Sequence, residues 1–213
     1  MCADPFYLTE TIRTLEAEKV EWLHIDVMDG HYVPNMALSP DFCAFLARRT
    51  RIPLDIHLMV ENPGRFVEFF AKFPNSRISF HPETARQPVR VIQRIRELGC
   101  SPGIALDPGV PVAHCSRLHP LVDQVIIMTV NPGYAGQKML PFCVEKIAEC
   151  RAGLESCGSR AQIEVDGNVS WENIPKMAAA GAGMFVAGTS SLFREGRVTA
   201  AGVKKMRRLL SAS

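Results

Sequence analysis

Long hydrophobic runs are missing from this chain. No stretch of 18 apolar residues occurs in its 213 residues, so nothing reads as a transmembrane helix. The N-terminus lacks a basic segment followed by an apolar one, which argues against a signal peptide. An excess of one charge is also missing: 24 Lys and Arg face 22 Asp and Glu, a net +2. That balance points away from nucleic acid and from membrane surfaces as partners. The seven cysteines contain no Cys-x-x-Cys pair, so neither a disulfide framework nor a structural zinc knot is expected. Reduced thiols in a cytoplasmic protein fit better, with Cys43, Cys143, Cys150 and Cys157 as packing or surface residues of helices. There is no linker, no low-complexity tract and no dinucleotide fingerprint, so one domain over residues 1–213, without a redox cofactor, is expected.

What is present is an alternation of short apolar runs and amphipathic stretches. The runs are Trp22–Val27, Leu54–Val60, Arg77–His81, Pro102–Leu106, Gln124–Val130, Gln162–Asp166 and Met184–Gly188. Asp4-Pro5, Ser39-Pro40 and Asn62-Pro63 each read as a helix cap followed by a first-turn proline. Ser170 reads as a further cap, and Gly99 and Gly181 as helix stops. Repeated βα units predict a parallel sheet, and seven strands fall one short of a TIM (β/α)8 barrel. The eighth should precede the helix of Leu8–Ala17, where only Met1-Cys2-Ala3 stands, so the first strand reads as truncated.

His24 and Asp26 sit two apart on a predicted strand and share one face, where buried polar groups are costly unless paired or coordinated. Other polar residues recur at strand ends, the rim that carries active sites in TIM barrels: His57, His81 with Glu83, Asp107, Asn131, Asp166 and Thr189. His24, Asp26, His57 and Asp166 make a two-histidine, two-aspartate set suited to a divalent Zn, Mn, Fe or Co ion without choosing among them. Glu164 shares the face of Asp166, and Asp55 that of His57; either reads as orienting a ligand or as a structural hydrogen-bonding group, the second favoured for Asp55. Three glycine loops follow late strands: Asn131-Pro132-Gly133-Tyr134-Ala135-Gly136-Gln137, Asp166-Gly167-Asn168 and Gly188-Thr189-Ser190-Ser191. Together they predict a phosphate cradle, since glycine lets backbone N–H groups approach an anion closely. Met28, Met59 and Met128 lie near strand ends and read as an apolar cap.

These stretches resemble the ribulose-phosphate 3-epimerase family. The matching segments are His24–Asn35, Asp55–Val60, Met128–Gln137, Ile163–Gly167 and Phe185–Gly188. The resemblance implies a TIM barrel that inverts C3 of a ketose phosphate with one divalent metal. It implies His24, Asp26, His57 and Asp166 as ligands and Asp26 and Asp166 as the acid/base pair. It further implies substrate or phosphate contacts from His57, Gly133, Tyr134, Ala135, Gly136, Gly167, Asn168, Gly188, Thr189 and Ser190, and a homo-oligomeric assembly. Leu38-Ser39-Pro40, His81-Pro82-Glu83-Thr84 and Gly188–Phe193 look more like the D-allulose-6-phosphate 3-epimerase branch, whereas Asn131-Pro132-Gly133 looks like the ribulose branch. The sequence expectation is therefore D-allulose 6-phosphate (to D-fructose 6-phosphate), with D-ribulose 5-phosphate (to D-xylulose 5-phosphate) as the alternative. Family members usually begin with a strand carrying a substrate-contacting serine, so a misassigned start codon or omitted upstream residues are expected here. Two rivals stand beside the epimerase. A barrel lyase would want a lysine at a strand end, and none is read there; a non-catalytic sugar-phosphate-binding barrel is the rival that the missing first strand suggests.

Overall fold

The computed structural model describes residues 1–73 and 75–211. Its seven parallel strands coincide with the seven apolar runs: β1 (Leu23–Asp29), β3 (Leu54–Met59), β4 (Arg77–Phe80), β5 (Ser101–Leu106), β6 (Gln124–Met128), β7 (Gln162–Asp166) and β8 (Met184–Phe185). The two-residue strand β2 (Met36–Ala37) pairs antiparallel with the end of β1 and completes the sheet order β2-β1-β3-β4-β5-β6-β7-β8. The sheet curls into an α/β TIM barrel. Met1–Ala3 forms no strand, and β8 and β1 share no ladder among the described residues. A cavity of about 500 Å3 runs between them, lined by both strands and by the C-terminal loops.

Strand side chains alternate between two environments. Ile25, Val27, Ile56, Leu58, Ile78, Phe80, Ile104, Leu106, Val125, Ile127, Ile163 and Val165 belong to the main apolar core. That core takes in residues of α1 (Leu8–Ala17), α2 (Pro40–Ala47), α3 (Val67–Phe70), α4 (Pro88–Glu97), α5 (Cys143–Ser156), α6 (Asn173–Ala179) and α7 (Ala200–Ser211). The opposite side chains fill the barrel interior. There the branched aliphatics usual in such barrels give way to polar groups. Asp55, Ser79, Gln124 and Glu164 are all buried. Ser79 Oγ donates to Gln124 Oε1 at 3.4 Å, and Gln124 Nε2 donates to Glu164 Oε2. Lower down, Arg77 reaches Gln162 Oε1 and Met184 Sδ, both at 2.8 Å, and covers the Trp22 ring.

Helix boundaries follow the sequence signals at most points. The Asp4 side chain accepts from Phe6 N, and Ser39 Oγ from Phe42 N. Ser170 Oγ accepts from Asn173 N at 3.2 Å. Gly99 and Gly181 end helices with φ of +81° and +109°. Asn62 departs from expectation: it is left-handed (φ 53°), makes no capping bond, and precedes only a 3-10 turn, Pro63–Arg65. The βα alternation also lapses between β5 and β6. Two 3-10 turns, Val112–Cys115 and His119–Leu121, stand there in place of an α-helix. Pro108, Pro111 and Pro120 in that segment remove N–H donors that a helix would need. No described helix is long and apolar enough to cross a membrane.

Candidate metal and phosphate site

The register of β1 against β3 assembles the site. His24 lies opposite Asp55, and Asp26 opposite His57. Across the interior, β6–β7 pairing sets Met128 beside Asp166, and Thr129 N binds Asp166 O at 2.8 Å. One ligand atom each from His24, Asp26, His57 and Asp166 falls within 4.8 Å of the others. His24 Nε2 is 3.4 Å from Asp26 Oδ1 and 3.9 Å from Asp166 Oδ2. His57 Nδ1 is 3.8 Å from each of the same two carboxylates. Both imidazole nitrogens are buried without a hydrogen-bond partner. Two unpartnered ring nitrogens beside two carboxylates are the donor types of a divalent-metal site, so the residues present fit the implied ion.

Charge is distributed unevenly over this cluster. Burial raises the Asp26 carboxyl, but the His24 and His57 imidazoles outweigh it and hold Asp26 well below the usual carboxylate range. Burial, and then the negative charge of Asp26, push Asp166 the other way. Burial lowers His24, but Asp26, Asp55 and Glu164 together carry it well above an ordinary imidazole. Burial and the neighbouring Asp55 raise Glu164 to about 8.

Behind the ligands lie two hydrogen-bonded supports. Asp55 Oδ2 is 2.7 Å from His24 Nδ1, and Glu164 Oε1 is 3.6 Å from it. Asp55 is thus hydrogen-bonded to a site imidazole, a placement that serves either of the two readings given for it from sequence. The second support is longer. His57 Nε2 meets His81 Nε2 at 2.9 Å, His81 Nδ1 meets the Tyr32 hydroxyl at 3.0 Å, and that hydroxyl donates to Glu83 Oε1 at 3.0 Å. Burial lowers His81 to about 4, so it is neutral and carries a single ring proton. Burial raises Glu83, but His81 beside it brings the net value below the ordinary range, so it is a carboxylate. Sequence reasoning saw His81 and Glu83 at a strand end but missed Tyr32, which stands 49 residues from His81.

All three glycine loops line the same cavity, including Gly133, Tyr134, Ala135, Gly136, Gly167, Asn168, Gly188, Thr189 and Ser190. Gly167 has φ +107°, and a Cβ there would lie 2.5 Å from Val130 Cγ2, so only glycine keeps this turn against β6. Asn35 Nδ2 donates to Gly133 O at 2.8 Å, and the Tyr134 hydroxyl to Pro34 O, bracing the first loop. Asn168 Nδ2 donates to Ser190 Oγ at 3.1 Å, joining the second loop to the third. Cys2, which carried no sequence signal, also lines the cavity, its Sγ packed against Gly188. His57 is fully buried and stands with the other three metal-type ligands. The methionines do not form one cluster. Met28 and Met59 pack with Val33, whereas Met128 packs with Ala105 and Ile126. All three still line the cavity. Lys146 of α5 does reach the end of β5, where its Nζ donates to Asp107 O, but it is buried away from the cavity.

Comparison with known proteins agrees with this architecture. A mutant tryptophan synthase α-subunit from Pyrococcus furiosus superposes with a TM-score of 0.70 over 98% of this chain and 93% of that one, at 13% identity, a likeness of fold. Closer in sequence are two proteins named ribulose-phosphate 3-epimerase. The one from Serratia marcescens is 39% identical over 89% of this chain and 91% of its own. That from Escherichia coli (strain K12) is 38% identical over 89% and 85%. The model of the ribulose-phosphate 3 epimerase family matches residues 1–193. This chain, with its barrel, its His and Asp cluster and its glycine loops, belongs to the ribulose-phosphate 3-epimerase family and is an enzyme of the epimerase class.

Proposed function

We propose that this protein interconverts D-ribulose 5-phosphate and D-xylulose 5-phosphate by inverting C3. The observation that carries the reading is the pair of buried, unpartnered imidazole nitrogens facing Asp26 and Asp166. The lean of short motifs toward allulose 6-phosphate finds no support among the named relatives, which are ribulose-phosphate enzymes.

His24, Asp26, His57 and Asp166 would hold one divalent ion. When bound, such an ion polarises the substrate carbonyl and stabilises negative charge on its oxygens. The remaining chemistry belongs to the chain. Inversion needs one group to remove the C3 proton and another to deliver a proton from the opposite face. Asp26 on β1 and Asp166 on β7 project from separate walls of the barrel and fill those two roles. Their environments push them in opposite directions, the pattern that separates an acid from a base. The glycine loops hold the phosphate at the mouth, and Met28, Met59 and Met128 keep an apolar surface beside the reacting carbons.

The test is turnover in D2O. Ribulose 5-phosphate should gain deuterium at C3, chelation of the metal should stop it, and kcat/KM should exceed that for allulose 6-phosphate. Ligand binding without exchange would instead mark a non-catalytic barrel, and a preference for allulose 6-phosphate would overturn the substrate.

A further inference from the structure

A carboxylate can accept a hydrogen bond but cannot donate one. That fixes the direction of the chain running from Glu83 into the barrel. The Tyr32 hydroxyl has one proton and gives it to Glu83 Oε1. The bond between Tyr32 and His81 Nδ1 must then be donated by His81. A fully buried imidazole with one ring proton has already committed it to Tyr32, so the Nε2 of His81 is an acceptor. The 2.9 Å contact between His81 Nε2 and His57 Nε2 is therefore donated by His57. With its proton placed at Nε2, the His57 ring keeps its lone pair at Nδ1, the atom that faces Asp26 and Asp166.

From this sequence of bonds we infer that Glu83, on the turn after β4, sets the tautomer of His57 through Tyr32 and His81. The three are positioning residues. None of them lines the cavity, so none is placed to touch substrate. The opposite tautomer would turn an N–H toward the two carboxylates. Its hydrogen bond would compete with any cation there, because a metal needs the nitrogen lone pair. The geometry also builds in a partial bypass. Glu83 Oε1 lies 3.4 Å from His81 Nδ1, so His81 retains a carboxylate neighbour even without the tyrosine hydroxyl. The turn itself is pinned by Thr84, whose Oγ1 and N both bond to His81 O at 2.8 and 3.1 Å.

The inference rests on the metal reading for its purpose but not for its test, which begins with metal-free protein. Two-bond 1H–15N spectra in mildly alkaline solution report the tautomer of His57, assigned through His57→Asn. The Nε2–H form is expected in the unmodified chain. His81→Phe removes the acceptor and should shift His57 toward Nδ1–H, while weakening Co2+ or Zn2+ binding by roughly 10–100-fold in chelator competition. His81→Gln restores an acceptor oxygen and should recover most of both signals, which a purely structural role would not. Glu83→Gln, at the exposed end, allows the chain to reverse and should give a mixture of tautomers. Tyr32→Phe should have the smallest effect. An unchanged tautomer in both His81→Phe and Glu83→Gln would overturn the proposal; if His81→Phe fails to fold, Glu83→Gln alone decides. A shifted tautomer in a protein that binds neither metal would leave the inference standing and sink the metal reading.

Discussion

Replacing Asp166 by Asn isolates the second acid/base group with little change of shape. Asn matches the carboxylate in volume, and the β6–β7 ladder through Met128 and Thr129 uses only backbone atoms of residue 166. The barrel should therefore survive. No other carboxylate can take over. Glu164, the next on that face, is bound to Gln124 and beside His24 in the layer below. Loss of one positioned proton-transfer group typically costs about 10²–10⁴-fold in rate, or roughly 3–5 kcal/mol of barrier. The 17% exposure of the Asp166 side chain leaves a route for water, so a residual rate is expected. The phosphate loops are untouched, so KM should stay within a few fold. Stability should respond in the opposite sense. Burial and Asp26 already disfavour the Asp166 charge, so metal-free Asp166→Asn should resist denaturant at least as well as the parent. The assay is kcat for ribulose 5-phosphate and deuterium entry at C3, beside urea unfolding of metal-free protein. Turnover within about five-fold of the parent, against the effect size typical of such groups, would refute the acid/base role.

Two further outcomes follow from the same site. Gly167→Ala forces a side chain to φ +107° and within 2.5 Å of Val130; strain of about 1–2 kcal/mol and overpacking of about 1–3 kcal/mol should together lower unfolding free energy by roughly 2–5 kcal/mol in urea titration. Glu164, raised to about 8 by burial and Asp55, keeps a proton in the folded metal-free protein that the unfolded chain has released. Its contribution is present below the unfolded carboxyl range and is lost as pH rises through about 8. Glu164→Gln should flatten that decline in Tm-versus-pH curves, and an unchanged slope would show that Glu164 is not its source.

The strands were legible because each buries one apolar face against helices, and a continuous Val/Ile/Leu run survives in the sequence. Val125-Ile126-Ile127 in β6 shows this, with every residue of that strand buried. The metal-type ligands were legible because His24, Asp26, His57 and Asp166 break such runs at positions where only a partner offsets the cost of burial. Hairpin strand β2 was not, since two residues carry no period. Nor was the Tyr32–His81 contact, which depends on how the loop after β1 folds over β4 and leaves no local pattern. Asn62 illustrates a misleading signal: an asparagine before proline fits a cap, but its left-handed backbone turns the side chain away from that role.

The interrupted ring of the sheet gives its interior polar groups a mechanical meaning. β1 and β8 are the two ends of the parallel run of strands, with the short β2 beyond β1, and no backbone ladder joins β1 to β8 among the described residues. What spans the interval is made of side chains. At the lower end, Arg77 from the far wall reaches both Met184 of β8 and the Trp22 ring just ahead of β1. At the upper end, His24 of β1 faces Asp166 of β7, next to β8. The residues that would hold an ion there come from both sides of the interval, His24 and Asp26 from β1 and Asp166 from β7. In such a barrel the candidate site doubles as a side-chain bridge across the open side of the sheet.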